Sequence, residues 1–185
     1  VLNMNQSFRI NPDLLYVIPK EDHSFENICS KLQSHPEVKF VSFVGIDLSG
    51  NDTDERIPVS LFMDNIDDYL NGAVQTDGSS VVLPGIATLN DGKVDFIADL
   101  DVNWFVDYNY ENLCYDSNLP VGTLRIPSFL MHNEKEVCSR SVLKRAIERF
   151  NRDMKILLTE NKDICDQLGI LPDDIKSISL TAATE

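Results

Sequence analysis

Asp77-Gly78-Ser79-Ser80 sets one carboxylate and two hydroxyls within four residues, groups that hold a cation or accept a proton in one setting and close a turn in another. On residue types alone this tetrapeptide is a turn: Asp accepts backbone N–H bonds, Gly supplies a positive φ and the serines solvate the loop. Asp95 and Asp101 bracket a strand-like run, where solvated aspartates are routine. Glu185 is a single carboxylate, whereas a hard cation such as magnesium needs several oxygen ligands. Cys29, Cys114, Cys138 and Cys165 lie far apart with no Cys-x-x-Cys pair, and read as reduced structural thiols. His23, His35 and His132 sit in separate segments without partners at helical or hairpin spacing, and read as surface or packing residues. No Gly-rich phosphate loop of the Walker or dinucleotide type is present.

Composition narrows the classes further. Thirty Asp and Glu against 16 Lys and Arg give a formal charge of −14, which repels a phosphate backbone and argues against nucleic-acid binding. No apolar run approaches the roughly 18 residues that span a bilayer, and Val1 to Lys20 lacks a basic stretch followed by an apolar one, so a cytoplasmic protein without a membrane partner is expected.

The elements that would position these groups follow from periodicity. Residues 1–24, with Pro12 and Pro19, suggest an extended arm. Ser24 caps a short amphipathic helix with Phe25, Ile28, Cys29 and Leu32 at i, i+3, i+4 and i+7, running to about Ser34. Alternation from Val38 to Ile46 predicts a strand, and a loose turn-rich loop leads to a returning strand over 56–62, with Pro58 at an edge or bulge. A short helix over Ile66 to Leu70 ends at Gly72, and Gln75 to Gly85 reads as a surface loop. Strands are expected over 95–101, 103–108 and 122–130. Ser139 or Ser141 opens a long amphipathic helix with Leu143, Ala146, Ile147, Phe150, Met154, Leu157 and Leu158 on one stripe. A second helix near Ile164 to Leu168 stops at Gly169, and Lys176 to Leu180 resembles the start of a strand. The expected class is α+β: a small mixed sheet with a crossing helix, followed by the long helix.

Several of these features, in this order, resemble the glutamine synthetase family. Val38-Lys39-Phe40-Val41 resembles the opening strand of its N-terminal β-grasp domain, Ile57-Pro58 its next strand, and Asp77-Gly78-Ser79-Ser80 its Asp-Gly-Ser-Ser loop, placed before a strand that bears Asp95 and Asp101. Ser139-Arg140-Ser141-Val142-Leu143-Lys144-Arg145-Ala146 resembles the Pro-Arg-x-x-x-x-Arg-Ala start of the helix leading into that family's catalytic domain. Glu185 falls where the first glutamate of a metal-binding Glu-x-Glu strand would stand. The resemblance covers roughly Val38 to Glu185 and implies three segments: an arm and short helix over 1–37, a β-grasp domain over 38–133, and the start of a truncated catalytic domain over 134–185.

The resemblance also implies chemistry. Members join glutamate and ammonia using ATP and Mg2+ or Mn2+, and they assemble as homo-oligomeric rings with active sites between subunits. The loop aspartate faces a neighbour's catalytic domain, where it binds ammonium and takes its proton. Asp77 is the candidate for that role, Ser80 for shaping the same pocket and Glu185 for a metal ligand whose companions are missing. Asp95 and Asp101 would at most contribute hydrogen bonds across a subunit contact. The fragment alone is expected to be inactive and to hold neither ATP nor metal. Thr76 stands where the family usually has Phe, and Leu100 where it usually has Pro, which leaves room for a related ligase with another amine acceptor. The rival from another class is a free-standing β-grasp interaction module whose long helix packs fully on its own sheet.

Overall fold

The computed structural model describes residues 10–81, 92–171, 173 and 175. The chain is α+β and divides into two compact units, the second beginning at Ser139. No helix among the described residues is long and apolar enough to cross a membrane.

The first unit is built on one long strand. β7 (Pro120–His132) alternates in burial along most of its length, with Gly122, Leu124, Ile126, Ser128 and Leu130 turned to the core. Its first half pairs in parallel with β2 (Val38–Ile46) on one side and antiparallel with β6 (Trp104–Leu113) on the other. Its second half pairs antiparallel with β5 (Lys93–Ala98) and with the short β8 (Lys135–Glu136). The turn into β8 places Asn133 and Glu134 at φ of 48° and 62°, as a tight hairpin of primed type requires. β5 and β6 therefore lie end to end along one edge of β7, facing Met131 to Ser128 and then Arg125 to Pro120. Between them the chain makes an excursion over 99–103, pinned where the Asp99 N–H donates to the Pro127 carbonyl at 2.8 Å. β3 (Asp52–Pro58) closes one edge of the sheet beside β2, β1 (Val17–Ile18) closes the other beside β6, and β4 (Asn71–Asp77) extends the sheet beyond β5.

The hydrophobic cluster draws on the sheet and on the helices. α1 (Phe25–Ser34) starts where Ser24 Oγ accepts the Asn27 N–H at 3.3 Å, as the Ser24 cap predicted, and buries Ile28 and Leu32. α2 (Val59–Asp64) and α3 (Ile66–Leu70) bury Val59, Phe62, Ile66 and Leu70. Val41 and Phe43 of β2, Val94 and Phe96 of β5 and Trp104 of β6 complete it. His23 stacks on Trp104 with ring centres 3.7 Å apart, and burial holds its imidazole below the ordinary histidine range.

Four expectations change. The region expected as an extended arm holds β1, and its Leu14, Leu15 and Ile18 are buried. The returning strand ends at Pro58, and Val59 to Asp64 is helical, because Val59 and Phe62 are three residues apart and reach the core together only on a helix face. The loop between β2 and β3 is cinched, since Asp47 Oδ1 accepts the N–H groups of Ser49 and Asn51 at 2.8 and 2.9 Å and Gly50 takes a φ of +85°. Gln75 to Asp77 form the end of β4 instead of a loop. Pro58 does stand on an edge strand, where its missing N–H costs no ladder bond.

Glu37 is buried at 2% exposure just before β2. His35 Nδ1 lies 3.0 Å from its Oε1, and the Tyr108 hydroxyl lies 3.2 Å from the same oxygen and 2.9 Å from the Leu15 carbonyl. Burial first, and then Glu37, push the Tyr108 phenol above its usual range. Nearby, a Cβ on Gly122 would stand 2.8 Å from Tyr108 Cε1, 2.9 Å from Val106 Cγ1 and 3.2 Å from Val38 Cγ2. Three side chains, two from β6 and one from β2, leave no direction of retreat. Gly122→Ala is expected to cost about 1–3 kcal/mol by overpacking, read as a lower urea midpoint at unchanged slope. Gly50→Ala, whose Cβ would meet nothing within 4 Å, is the comparison in which only the positive φ is penalised.

The second unit contains α4 (Ser139–Glu160) and α5 (Lys162–Leu168). Asn161 Oδ1 accepts the Ile164 N–H at 3.4 Å to begin α5, and Gly169 at φ 66° ends it, where the sequence places the stop. Leu143, Phe150 and Leu157 of α4 are exposed within the described residues. The strand expected over 176–180 lies outside the described residues.

Candidate functional site

β4 and β5 form an antiparallel pair whose register sets Gln75 opposite Asp95, Thr76 opposite Val94 and Asp77 opposite Lys93. Alternation then sorts the side chains. Val74 and Thr76 are buried at 5% and 8% exposure, while Gln75 and Asp77 point outward. Asp77 is thus the last residue of a paired strand and projects from its end, two residues and about 7 Å along the strand from Gln75.

The Asp-Gly-Ser-Ser segment is a built turn. Asp77 caps a single 3-10 turn over Gly78–Ser80, with its Oδ1 accepting the Ser79 N–H at 2.7 Å. The Gly78 N–H donates to the Gly92 carbonyl at 2.7 Å, one residue beyond the Asp77–Lys93 pair at the head of the β4–β5 ladder. Among the described residues the glycines with positive φ are Gly50, Gly72 and Gly169, so Gly78 serves here as a small buried residue and not for a left-handed conformation. The Ser79 hydroxyl, and then its amide, hold the Asp77 carboxyl below the ordinary aspartate range, and the group is fully exposed. A carboxylate so placed remains ionised across the physiological range. It attracts a cation well, and as a proton acceptor it is weaker than an unperturbed aspartate.

The other sequence candidates separate. Ser80 is exposed on the same turn, within three residues of Asp77. Ser79 supports Asp77 through hydrogen bonds, the structural part expected of it. Asp95 shares the outward face of the β4–β5 pair and accepts a hydrogen bond from Gln75 Nε2 at 2.7 Å. Asp101 is elsewhere, in the excursion between β5 and β6, where its N–H donates to Asp99 Oδ1 at 3.1 Å. Glu185 lies outside the described residues. Among the described residues no group of three or more His, Cys, Asp or Glu side chains is placed to hold a metal ion.

Gln75 is the residue of this face that sequence reasoning passed over. The signal was present in the alternation Val74, Gln75, Thr76, Asp77, but the polar composition of the segment outweighed it.

No family model matches the sequence, and no curated protein matches it. Among solved structures, the chain is similar to a GmaS/ADP complex at 16% sequence identity and a TM-score of 0.45. That likeness covers 65% of this chain and 24% of the other, so this chain spans about a quarter of the length of the protein it matches.

Proposed function

We propose that this chain is the N-terminal portion of a glutamine synthetase-type ligase and supplies the ammonium-site loop to a neighbouring subunit. The observation that carries the reading is Asp77: an ionised, fully exposed carboxylate held on a built turn at the end of a paired strand. Such a group is presented outward, away from the core of its own unit, as a residue acting on a neighbouring subunit would be. The order of the sequence motifs from Val38 to Ala146 supports the same reading.

In the reaction proposed for the whole protein, the glutamate side-chain carboxylate attacks the terminal phosphorus of ATP, forming an acyl phosphate and releasing ADP. Ammonium gives a proton to Asp77, and the neutral ammonia attacks the acyl carbon, expelling phosphate and leaving glutamine. ATP and Mg2+ or Mn2+ belong to the remainder of the protein in this reading, and no step through them is assigned to the described residues. Ser80 borders the ammonium position, and its hydroxyl can donate or accept there.

The test is glutamine formation by the whole protein from glutamate, ATP, magnesium and ammonium. Equal release of phosphate and glutamine, dependent on both glutamate and ammonium, is the expected result. Absence of ammonium-dependent turnover would overturn the reading, and turnover with an alkylamine in place of ammonium would move it to the related glutamate–amine ligase.

A further inference from the structure

The head of β5 is held from both sides. Consecutive carbonyls along a strand point to opposite edges, and at Gly92 and Lys93 each finds a donor on its own side. Toward β4, the Gly92 carbonyl accepts the Gly78 N–H at 2.7 Å, next to the Asp77–Lys93 pair. Toward β7, the Lys93 carbonyl lies 3.0 Å from Nδ1 of His132, the last residue of β7. A carbonyl only accepts, so Nδ1 carries a proton, and in the neutral ring Nε2 accepts from the Asn133 side-chain amide at 2.9 Å.

The ring stands where the β5–β7 ladder stops. The bond from the Asp99 N–H to the Pro127 carbonyl fixes which residues of this antiparallel pair exchange bonds, and every second residue follows: Ile97 with Phe129, then Asp95 with Met131. The next such rung would join Lys93 to Asn133, but at Asn133 the backbone turns into β8 with a φ of 48°. The His132 side chain meets the Lys93 carbonyl at that place, beyond the last β5–β7 pair. Gly92 and Lys93 are also the residues that seat the Gly78 amide and face Asp77 across the β4–β5 pair, so His132 acts on Asp77 through this short stretch of backbone. We infer that His132 is a positioning residue for Asp77: its ring pins the head of β5, and that sets where the Asp77 turn presents its carboxylate. The inference rests on the ammonium role proposed for Asp77.

Amide hydrogen exchange on the 185-residue chain, read residue by residue by NMR, tests the geometry apart from the reaction. His132→Leu removes the donor, and Gly78 exchange is expected to quicken by about 3–10-fold, the worth of one hydrogen bond, while the Val106 amide, which donates to the Tyr16 carbonyl, keeps its rate. Asparagine carries an N–H near the place of Nδ1, so His132→Asn should restore the Gly78 rate. In the whole protein His132→Leu is expected to raise the Michaelis constant for ammonium by about 3–10-fold with ATP binding unchanged, and His132→Asn to bring it back. A Gly78 rate indifferent to His132→Leu, a Gly78 rate quickened equally by Leu and Asn, or a Val106 rate that rises in step would each overturn the inference, as would an unmoved Michaelis constant for ammonium in an active enzyme. A wild type without ammonium-dependent turnover would overturn the reading of Asp77 and this role with it, while the exchange rates separately show whether the ring holds the turn.

Discussion

Asp77→Asn in the whole protein is expected to lower ammonium-dependent glutamine formation by about 10²–10⁴-fold, the range that a positioned acid–base group contributes. Asparagine keeps an oxygen able to accept the Ser79 N–H, so the turn that caps β4 survives and only the charge and the proton acceptor are lost. The loss should therefore fall on the Michaelis constant for ammonium and on turnover, with ATP binding unchanged and the melting temperature within a degree or two of wild type. An equal loss of ATP binding would point to a collapsed loop instead. The pH profile carries a second signature. Ser79 holds the Asp77 carboxyl below its ordinary range, so the charged form persists as pH falls and is lost only below the usual aspartate titration. Ser79→Ala removes the hydroxyl that depresses it most, and the acid limb of the profile should move upward, toward the ordinary aspartate value. An acid limb that Ser79→Ala leaves in place would show that another group controls it.

Trp104→Ala is expected to destabilise the first unit by about 3–5 kcal/mol. The side chain is fully buried, His23 lies flat against it, and its Nε1–H donates to the Asp99 carbonyl at 3.0 Å. Truncation opens a cavity and also strips a buried carbonyl of its donor, at the point where the chain leaves β5 and begins β6. Phe105, the next residue, is 53% exposed on the opposite face of the same strand. Phe105→Ala should cost well under half as much, so paired urea titrations of the two variants test the facing of β6 as well as the size of the effect. Similar losses at both positions would contradict the placement of Trp104 in the core.

How much of this was legible beforehand depended on the range of the interactions. Ser24 caps α1 through a bond spanning three residues, and Gly169 ends α5 with a left-handed φ, so neighbouring residues carry the information. The segment after Pro58 was harder. Val59 to Asp64 contains too few residues to separate a strand from one and a half helical turns, and the choice falls to which side chains the core accepts. Asp77 was visible as a residue type in a suggestive loop. Its presentation at the end of a ladder was not, because that depends on Lys93, 16 positions away.

By itself the sequence determined an acidic α+β chain, the extent of α1, the long stripe of α4 and the stop of α5, since each rests on local spacing and capping. It also placed Asp77 beside Ser79, the neighbour that lowers its proton affinity. Only the tertiary structure decided that β5 and β6 run end to end along β7, that β2 lies parallel to it, and that Glu37 is buried against Tyr108, 71 residues away. Those arrangements arise from contacts between residues distant in the chain, and no local pattern encodes which distant partner removes the most apolar surface from water while leaving the backbone hydrogen-bonded.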